Sequence, residues 1–175
     1  MRIIAGRWRG HTIQAPPGRA TRPTTDRVRE AWMSAMQQAI PGAQVLDLFA
    51  GSGALGLETL SRGAAHVTFV EQSGGALRAL RANIRRLEAA PTTRVVRADA
   101  LRYAEKLPVH AFDLAVADPP YGHGHAQALL HCFARTPFAR WLWVEHGRKE
   151  VLPTLPGLRT RTYGDTALTS IPAPT

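Results

Sequence analysis

Apolar residues follow two different periods along this chain. Between 26 and 40 they fall at every fourth position, at Val28, Trp32, Met36 and Ile40, which is one buried stripe of a helix. Thr25 stands where an N-cap is needed, Asp26 and Glu30 put negative charge near the start, and Pro41-Gly42 ends the pattern. From Gln44 onward the texture changes to short apolar runs alternating with helical patterns. Residues 45–49, 66–70, 94–97, 112–117 and 141–145 read as strands, most of them continuous apolar runs buried on both faces. Residues 54–61, 76–87, 101–106 and 126–134 read as the helical segments between them. Two last strands, 158–163 and 167–171, are split by Gly164-Asp165 and predict a closing hairpin. Ahead of the first helix, 2–5 and 11–14 flank a turn at 6–10 and predict a smaller hairpin, followed by a Pro/Gly/Arg loop.

Repeated β-α alternation predicts an α/β fold, a doubly wound, mostly parallel, seven-stranded Rossmann-like sheet with helices on both faces. Residues 1–41 read as an N-terminal extension of hairpin, loop and helix, and 42–175 as the sheet domain. At 175 residues, with 45% hydrophobic and 20% charged positions, the chain has the balance of one globular domain that buries its own core. No apolar run approaches a membrane span, and Arg2, Arg7 and Arg9 break up the start, so neither a span nor a signal peptide is expected. The single cysteine, Cys132, fits a reducing compartment. A cytoplasmic monomer is the expectation.

Charge adds a partner. The net charge is +9, and 20 of the 22 basic residues are arginine. Residues 1–30 hold seven of them (Arg2, Arg7, Arg9, Arg19, Arg22, Arg27, Arg29) against Asp26 and Glu30, a local +5. Such a concentration points to a polyanion.

The candidate chemistry starts at Asp47-Leu48-Phe49-Ala50-Gly51-Ser52-Gly53-Ala54-Leu55-Gly56, between the first strand and its helix. Gly51, Gly53 and Gly56 satisfy G-x-G-x-x-G, and Glu71 lies twenty residues after Gly51 at the end of the second strand. Read literally, this is a dinucleotide fingerprint, which keeps a nicotinamide dehydrogenase in play. A pyrophosphate, however, would be repelled by Asp47. S-adenosylmethionine carries a sulfonium and an ammonium that carboxylates attract, and a ribose that suits Glu71. Asp99, ending the third strand, either accepts from the adenine amine beside the N–H of Ala100 or caps the next helix.

Asp118-Pro119-Pro120-Tyr121 follows the fourth strand. Two prolines make a stiff extended exit from the sheet, so the Asp118 carboxylate and the Pro119 carbonyl can project as acceptors into the cleft. Two acceptors holding the two hydrogens of an exocyclic base amine would aim its lone pair at a methyl donor. Tyr121 supplies a face for the base.

These two motifs together resemble the amino-group methyltransferases that act on adenine N6 or guanine N2. Arg2-Ile3-Ile4-Ala5-Gly6-Arg7-Trp8-Arg9-Gly10 and Arg22-Pro23-Thr24-Thr25-Asp26-Arg27-Val28-Arg29-Glu30 resemble the bacterial 16S rRNA guanine-N2 methyltransferases, and the likeness runs from Arg2 to Tyr163-Gly164-Asp165. The resemblance implies S-adenosyl-L-methionine held by Asp47, Phe49, Gly51, Gly53, Glu71, Asp99 and Ala100. It implies a target guanine at Asp118, Pro119, Pro120 and Tyr121, and 16S rRNA in a small-subunit particle as partner. Arg22, Thr24 and Arg27 would then sit over the cleft, although they also suit helix entry, and Arg7 and Arg9 would meet RNA. The tail, Ile171-Pro172-Ala173-Pro174-Thr175, lacks the aromatic expected to close the last strand. An adenine-N6 methyltransferase and a non-catalytic RNA-binding assembly factor are the alternatives. His110, His123, His125 and His131 lack the Cys pair or spaced carboxylates of a metal site, so no metal is expected. Trp8 between Arg7 and Arg9 either stacks on RNA or packs on the domain.

Overall fold

The computed structural model describes residues 1–16 and 25–174. Seven strands form one sheet: β1 (Gln44–Leu48), β2 (His66–Glu71), β3 (Thr93–Arg97), β4 (Phe112–Ala117), β5 (Ala139–Gly147), β6 (Arg159–Tyr163) and β7 (Thr166–Pro172). Their order is β3-β2-β1-β4-β5-β7-β6. The first five are parallel, and β7 inserts antiparallel between β5 and β6. The chain order reverses beside β1, between β2 and β4, which is where sheets of this kind open a crevice at their carboxyl ends.

The expected doubly wound architecture is present, and the closing hairpin has a definite register. β7 pairs with β5 from Trp141↔Pro172 to Gly147↔Thr166 and with β6 from Arg159↔Ser170 to Tyr163↔Thr166. An aromatic is not needed to fix the last strand, because ladders on both sides fix it. Buried Leu168 and Ile171 anchor it to opposite faces.

Five helices complete the layers: α1 (Thr25–Met36), α2 (Ala54–Ser61), α3 (Gly74–Arg86), α4 (Ala100–Ala104) and α5 (His125–Arg135). One face of the sheet packs α1, α2 and α3 through Trp32, Met33, Leu57, Leu77 and Leu80 against Val45, Val67, Phe69 and Val116. The other packs α4 and α5 through Ala104, Leu129, Leu130 and Phe133 against Leu46, Leu48, Val70 and Val144. Alternate residues of β1 and β2 thus serve opposite cores, as the period of a strand requires.

Two details differ from the sequence expectations. The stripe ending in Ile40 is buried to its end, but α1 stops at Met36 and a turn follows, closed by Ala39 N–H to Met36 O and Ala43 N–H to Ile40 O. The N-terminal hairpin is short, with one antiparallel bridge, Arg2↔Thr12, and Ile3 N–H to His11 O, Gly10 N–H to Ile3 O and Ile13 N–H to Met1 O joining its arms. Other backbone groups of the segment bond to side chains of α2 and α3.

That docking is specific. Fully buried Glu58 of α2 accepts N–H bonds from Ile4 (2.8 Å) and Ala5 (3.0 Å) and a guanidinium N–H from Arg62 (2.9 Å). The Ser61 hydroxyl accepts from Trp8 N–H at 3.0 Å, and Asn83 of α3 exchanges bonds with both backbone groups of Gln14. Ile3, Trp8 and Ile13 join the same core as α1–α3, so the extension and the sheet share one interior.

Candidate active site

β1 delivers the chain into a left-handed turn. Phe49 adopts φ 57°, unusual for a residue with a side chain, and Gly51 and Gly53 follow at φ 57° and 84°. Asp47 is 1% exposed, and its Oδ2 accepts the Gly56 N–H at 2.9 Å. Gly53, at the N-cap of α2, has no side chain to offer, so a carboxyl from the neighbouring strand satisfies one of that helix's unpaired donors. The glycines are required by packing here. A Cβ on Gly53 would lie 2.4 Å from Leu80 Cδ1, and one on Gly56 would lie 2.4 Å from Phe69 Cε1.

Glu71, at the end of β2, closes back on the loop. Its Oε2 accepts from Gly51 N–H at 2.8 Å, and its Oε1 from Gln72 and Ser73 N–H at 2.9 and 2.7 Å. A carboxylate has about four lone-pair positions, so one remains on Oε2. Asp99 caps α4 through Oδ1, 2.9 Å from Arg102 N–H. Of its two readings the capping contact is thus real, and Oδ2 is a second acceptor on the same carboxylate.

These ends enclose a cavity of about 180 Å³ lined by Phe49, Glu71, Ala98, Ala100, Asp118 and Pro120 among others. Six of the sequence-derived site residues therefore meet or border one space: Phe49, Glu71, Asp99 (between Ala98 and Ala100), Ala100, Asp118 and Pro120. Asp47, Gly51, Gly53, Pro119 and Tyr121 are not among its lining residues; Gly51 is joined to it by its N–H bond to Glu71, and Asp47 by charge with Glu71 and Asp118. Burial pushes the Asp47 carboxyl up to about 8; the Gly56 hydrogen bond opposes this, and the charges of Asp118 and Glu71 add to it. Three carboxyls thus converge on the glycine-loop end of the sheet.

Asp118 is exposed at the end of β4, and Pro119 is buried behind it. Tyr121 is half-buried, and its hydroxyl donates to Glu145 Oε1 of β5 at 2.5 Å, with Thr166 Oγ1 of β7 at 3.1 Å. Burial, then the Glu145 contact, push the phenol above its ordinary range, so it stays protonated and donating. Glu150 Oε1 accepts N–H bonds from Gly122 (3.1 Å) and Gly147 (3.0 Å), which ties the segment after Tyr121 to the end of β5. His125 lies against Phe49, ring centroids 5.4 Å apart, and makes a rim. Among the described residues no group of three or more His, Cys, Asp and Glu is placed to hold a metal ion, and no helix is long and apolar enough to cross a membrane.

Glu145 and Glu150 escaped sequence reasoning because each acts on a residue far along the chain. The only trace is the acid directly after the apolar run 141–144.

The basic N-terminus divides. Arg7, Arg9 and Arg27 are exposed, whereas Arg22 and Thr24 lie outside the described residues. Arg29 is 4% exposed and donates to Arg2 O at 2.5 Å, beside Glu58 at 4.0 Å. It is a structural arginine and leaves the set counted toward RNA. Trp8 is buried at 9% exposure, with the Arg7 guanidinium 3.8 Å over its ring, so of its two readings packing on the domain is the observed one.

Comparison with known proteins agrees with this layout. The family model described as Conserved hypothetical protein 95 matches residues 1–171. The YlbH protein of Bacillus subtilis is 36% identical, over 96% of this chain and 96% of its own. Ribosomal RNA small subunit methyltransferase D of Escherichia coli is 38% identical over 89% of this chain and 79% of its own. The solved Escherichia coli yhhF structure superposes with a TM-score of 0.85 at 34% identity, covering 99% of both chains. With the fold, the glycine loop and the Asp-Pro-Pro-Tyr corner in place, the chain belongs to the family of the ribosomal RNA small subunit methyltransferases D.

Proposed function

We propose that this protein methylates the exocyclic N2 amine of a guanine in 16S rRNA, using S-adenosyl-L-methionine, as a cytoplasmic monomer acting on small-subunit particles. The observation that carries the reading is the convergence of Asp47, Glu71 and Asp118 around the glycine loop. A pyrophosphate cofactor would add two negative charges to that cluster. A ligand with a sulfonium and an ammonium is attracted by carboxylates such as Glu71 and Asp118, and would favour the ionised form of Asp47 beside them. The residues therefore fit the cofactor by the chemistry of their donor set, and family membership supports the same reaction.

When bound, the cofactor supplies an electrophilic methyl group. The chain's residues do the rest. The free lone pair of Glu71 would suit a ribose hydroxyl, the Ala100 N–H and the Asp99 carboxylate would suit the adenine edge, and the turn from Phe49 to Gly53 would hold the methionine end. Asp118, exposed at the strand end, accepts one hydrogen of the target amine, and the Pro119 carbonyl accepts the other. Fixing both hydrogens favours a pyramidal nitrogen whose lone pair points at the methyl, so positioning supplies the rate. Tyr121, held by Glu145 and Thr166, keeps its ring beside the base. Residues 1–41 are the RNA-contacting part in this reading, through exposed Arg7, Arg9 and Arg27 and through Arg22 and Thr24, and 42–175 the catalytic part.

The test is methyl transfer from labelled S-adenosylmethionine to unmodified small-subunit particles and to bare 16S rRNA, followed by nucleoside analysis. N2-methylguanosine is expected. Methyladenosine would overturn the base assignment, and no transfer to either RNA would overturn the function.

A further inference from the structure

The sheet face that carries α1, α2 and α3 is not covered to its edge. Beyond the C-terminal end of α1 lies a groove of about 620 Å³ floored by β5, β7 and β6. Trp141 and Trp143 of β5, Arg159, Arg161 and Tyr163 of β6, and Leu168 of β7 line it together with 34–39. They share this face because each set alternates along its strand. Trp141 is 36% exposed, and its ring lies 6.3 Å from that of Trp143, at 31°. Two arginines and no acid are among the lining residues.

We propose that this groove is a second RNA-docking surface, in which unpaired nucleotides flanking the target stack on Trp141 and Trp143 while Arg159 and Arg161 hold their phosphates. The proposal rests on the reading of the chain as an RNA methyltransferase and extends it to a surface outside the cleft. Charge decides the occupant. An apolar protein segment laid here would desolvate two arginines with no carboxylate in the groove to pair them, whereas a nucleic acid strand brings a phosphate for each. Aromatic faces beside guanidinium groups are the standard platform for single strands, since every base offers a π-face. Duplex RNA does not expose its bases to such rings.

Continuity with the catalytic corner gives the groove a place on the substrate. On β5 the next residue on this face after Trp143 is Glu145, roughly 7 Å further along the strand, and Glu145 holds the Tyr121 hydroxyl. On β6, Tyr163 sits opposite Thr166, the second partner of that hydroxyl. A strand whose target base lies at Tyr121 therefore needs to pass only one side-chain row to reach the tryptophans. α1 ends short of Trp141 and Trp143, which leaves the first open and the second half-covered.

Two variants of the full chain test this, Trp141→Ala and the pair Arg159→Ala/Arg161→Ala, all on exposed positions. Thermal melts check folding, and calorimetry with S-adenosylhomocysteine checks the cleft, which neither variant should alter. Trp141→Ala should raise KM for unmodified 16S rRNA about tenfold with kcat unchanged at saturation. The arginine pair should flatten the salt dependence of RNA binding by about 1.4, some 0.7 for each phosphate of a single strand. Wild-type affinity and slope in both variants would overturn the proposal. So would a loss confined to particles and absent on bare rRNA, which would assign the groove to a ribosomal protein. A wild-type dimer in sedimentation that Trp141→Ala dissolves would assign it to a second copy. If the wild type transfers no methyl at all, the function falls separately, and the groove is judged by the binding titrations with the same two outcomes.

Discussion

Replacing Asp47 with asparagine separates what the fold asks of this position from what a cation-binding site asks of it. The buried carboxyl ionises near pH 8 in the folded protein against 3.8 for an unperturbed aspartate. A folded-state value above the unfolded one means the native protein holds a proton that the open chain has already released. Between about pH 4 and pH 8 the unfolded state therefore binds fewer protons, and stability falls as pH rises. Each pH unit costs about 1.4 kcal/mol, so the whole window removes on the order of 5 kcal/mol from the ligand-free protein. Asparagine keeps a carbonyl oxygen for the Gly56 N–H and carries no charge. Urea unfolding of both proteins at pH 5, 6, 7 and 8 should then show the variant gaining on the wild type at each step, with unchanged m-values. The gain should level off above pH 8. Other titrating groups are common to both proteins and cancel in the difference. S-adenosylmethionine should restore the ionised form. Calorimetry at pH 7 in buffers of different ionisation enthalpy should therefore detect release of close to one proton per cofactor bound by the wild type, and none by the variant. A stability difference that stays flat from pH 5 to pH 8 would refute the reasoning, because Asp47 would then be ionised throughout.

Asp118→Ala should lower methyl transfer on the order of a hundredfold or more while S-adenosylhomocysteine binding, followed by calorimetry, persists; loss of both would make Asp118 a cofactor ligand. Glu145→Ala should lower turnover about tenfold by releasing Tyr121, and Glu145→Gln, which still offers an acceptor, should recover most of it; equal damage from both would point to a bulk structural role. Gly6→Ala should destabilise the protein by about 2 kcal/mol or more, since at φ 83° its Cβ would fall 1.8 Å from the Ser61 carbonyl oxygen, and a chemical denaturation midpoint equal to wild type would contradict the docked geometry. Arg7→Ala/Arg9→Ala should flatten the salt dependence of rRNA binding by about one to two units without moving S-adenosylhomocysteine affinity.

The sheet was legible because buried parallel strands are continuous apolar runs, as in Leu114 to Ala117, or runs broken by a single residue, as in Val45 to Leu48 with Asp47 inside it. The geometry of the glycine-loop corner was legible because its glycines, Glu71 and the double proline act within a few residues of themselves or at the strand ends of a known topology. What the sequence hid is polar and long-range. Glu58 looks like an ordinary helix-surface acid, yet it is fully buried because its partners, Ile4 and Ala5, lie 54 and 53 positions earlier. Asn83 links Gln14 to the Ser52 carbonyl of the glycine loop through one amide, a role no local pattern encodes. Arg29 was counted with its basic neighbours because charge composition cannot tell a buried guanidinium from a solvated one. The hairpin at 1–14 was legible as a reversal, and Ile3 N–H to His11 O and Ile13 N–H to Met1 O join its arms, but its docking through Ile4, Trp8 and Gln14 onto side chains of α2 and α3 was not.

Those distant anchors also set a timetable for synthesis. Residues 1–14 leave the ribosome before anything they bind exists. Ile4 waits for Glu58, and Gln14 waits 69 residues for Asn83; at about 5–20 residues per second that is roughly 3 to 14 s of translation. Throughout that interval Ile3, Trp8 and Ile13, all destined for the interior, stay uncovered. This segment is thus made well before its anchors, so a pause in translation between Gln14 and Asn83 lengthens the time in which a chaperone or a neighbouring chain can capture it.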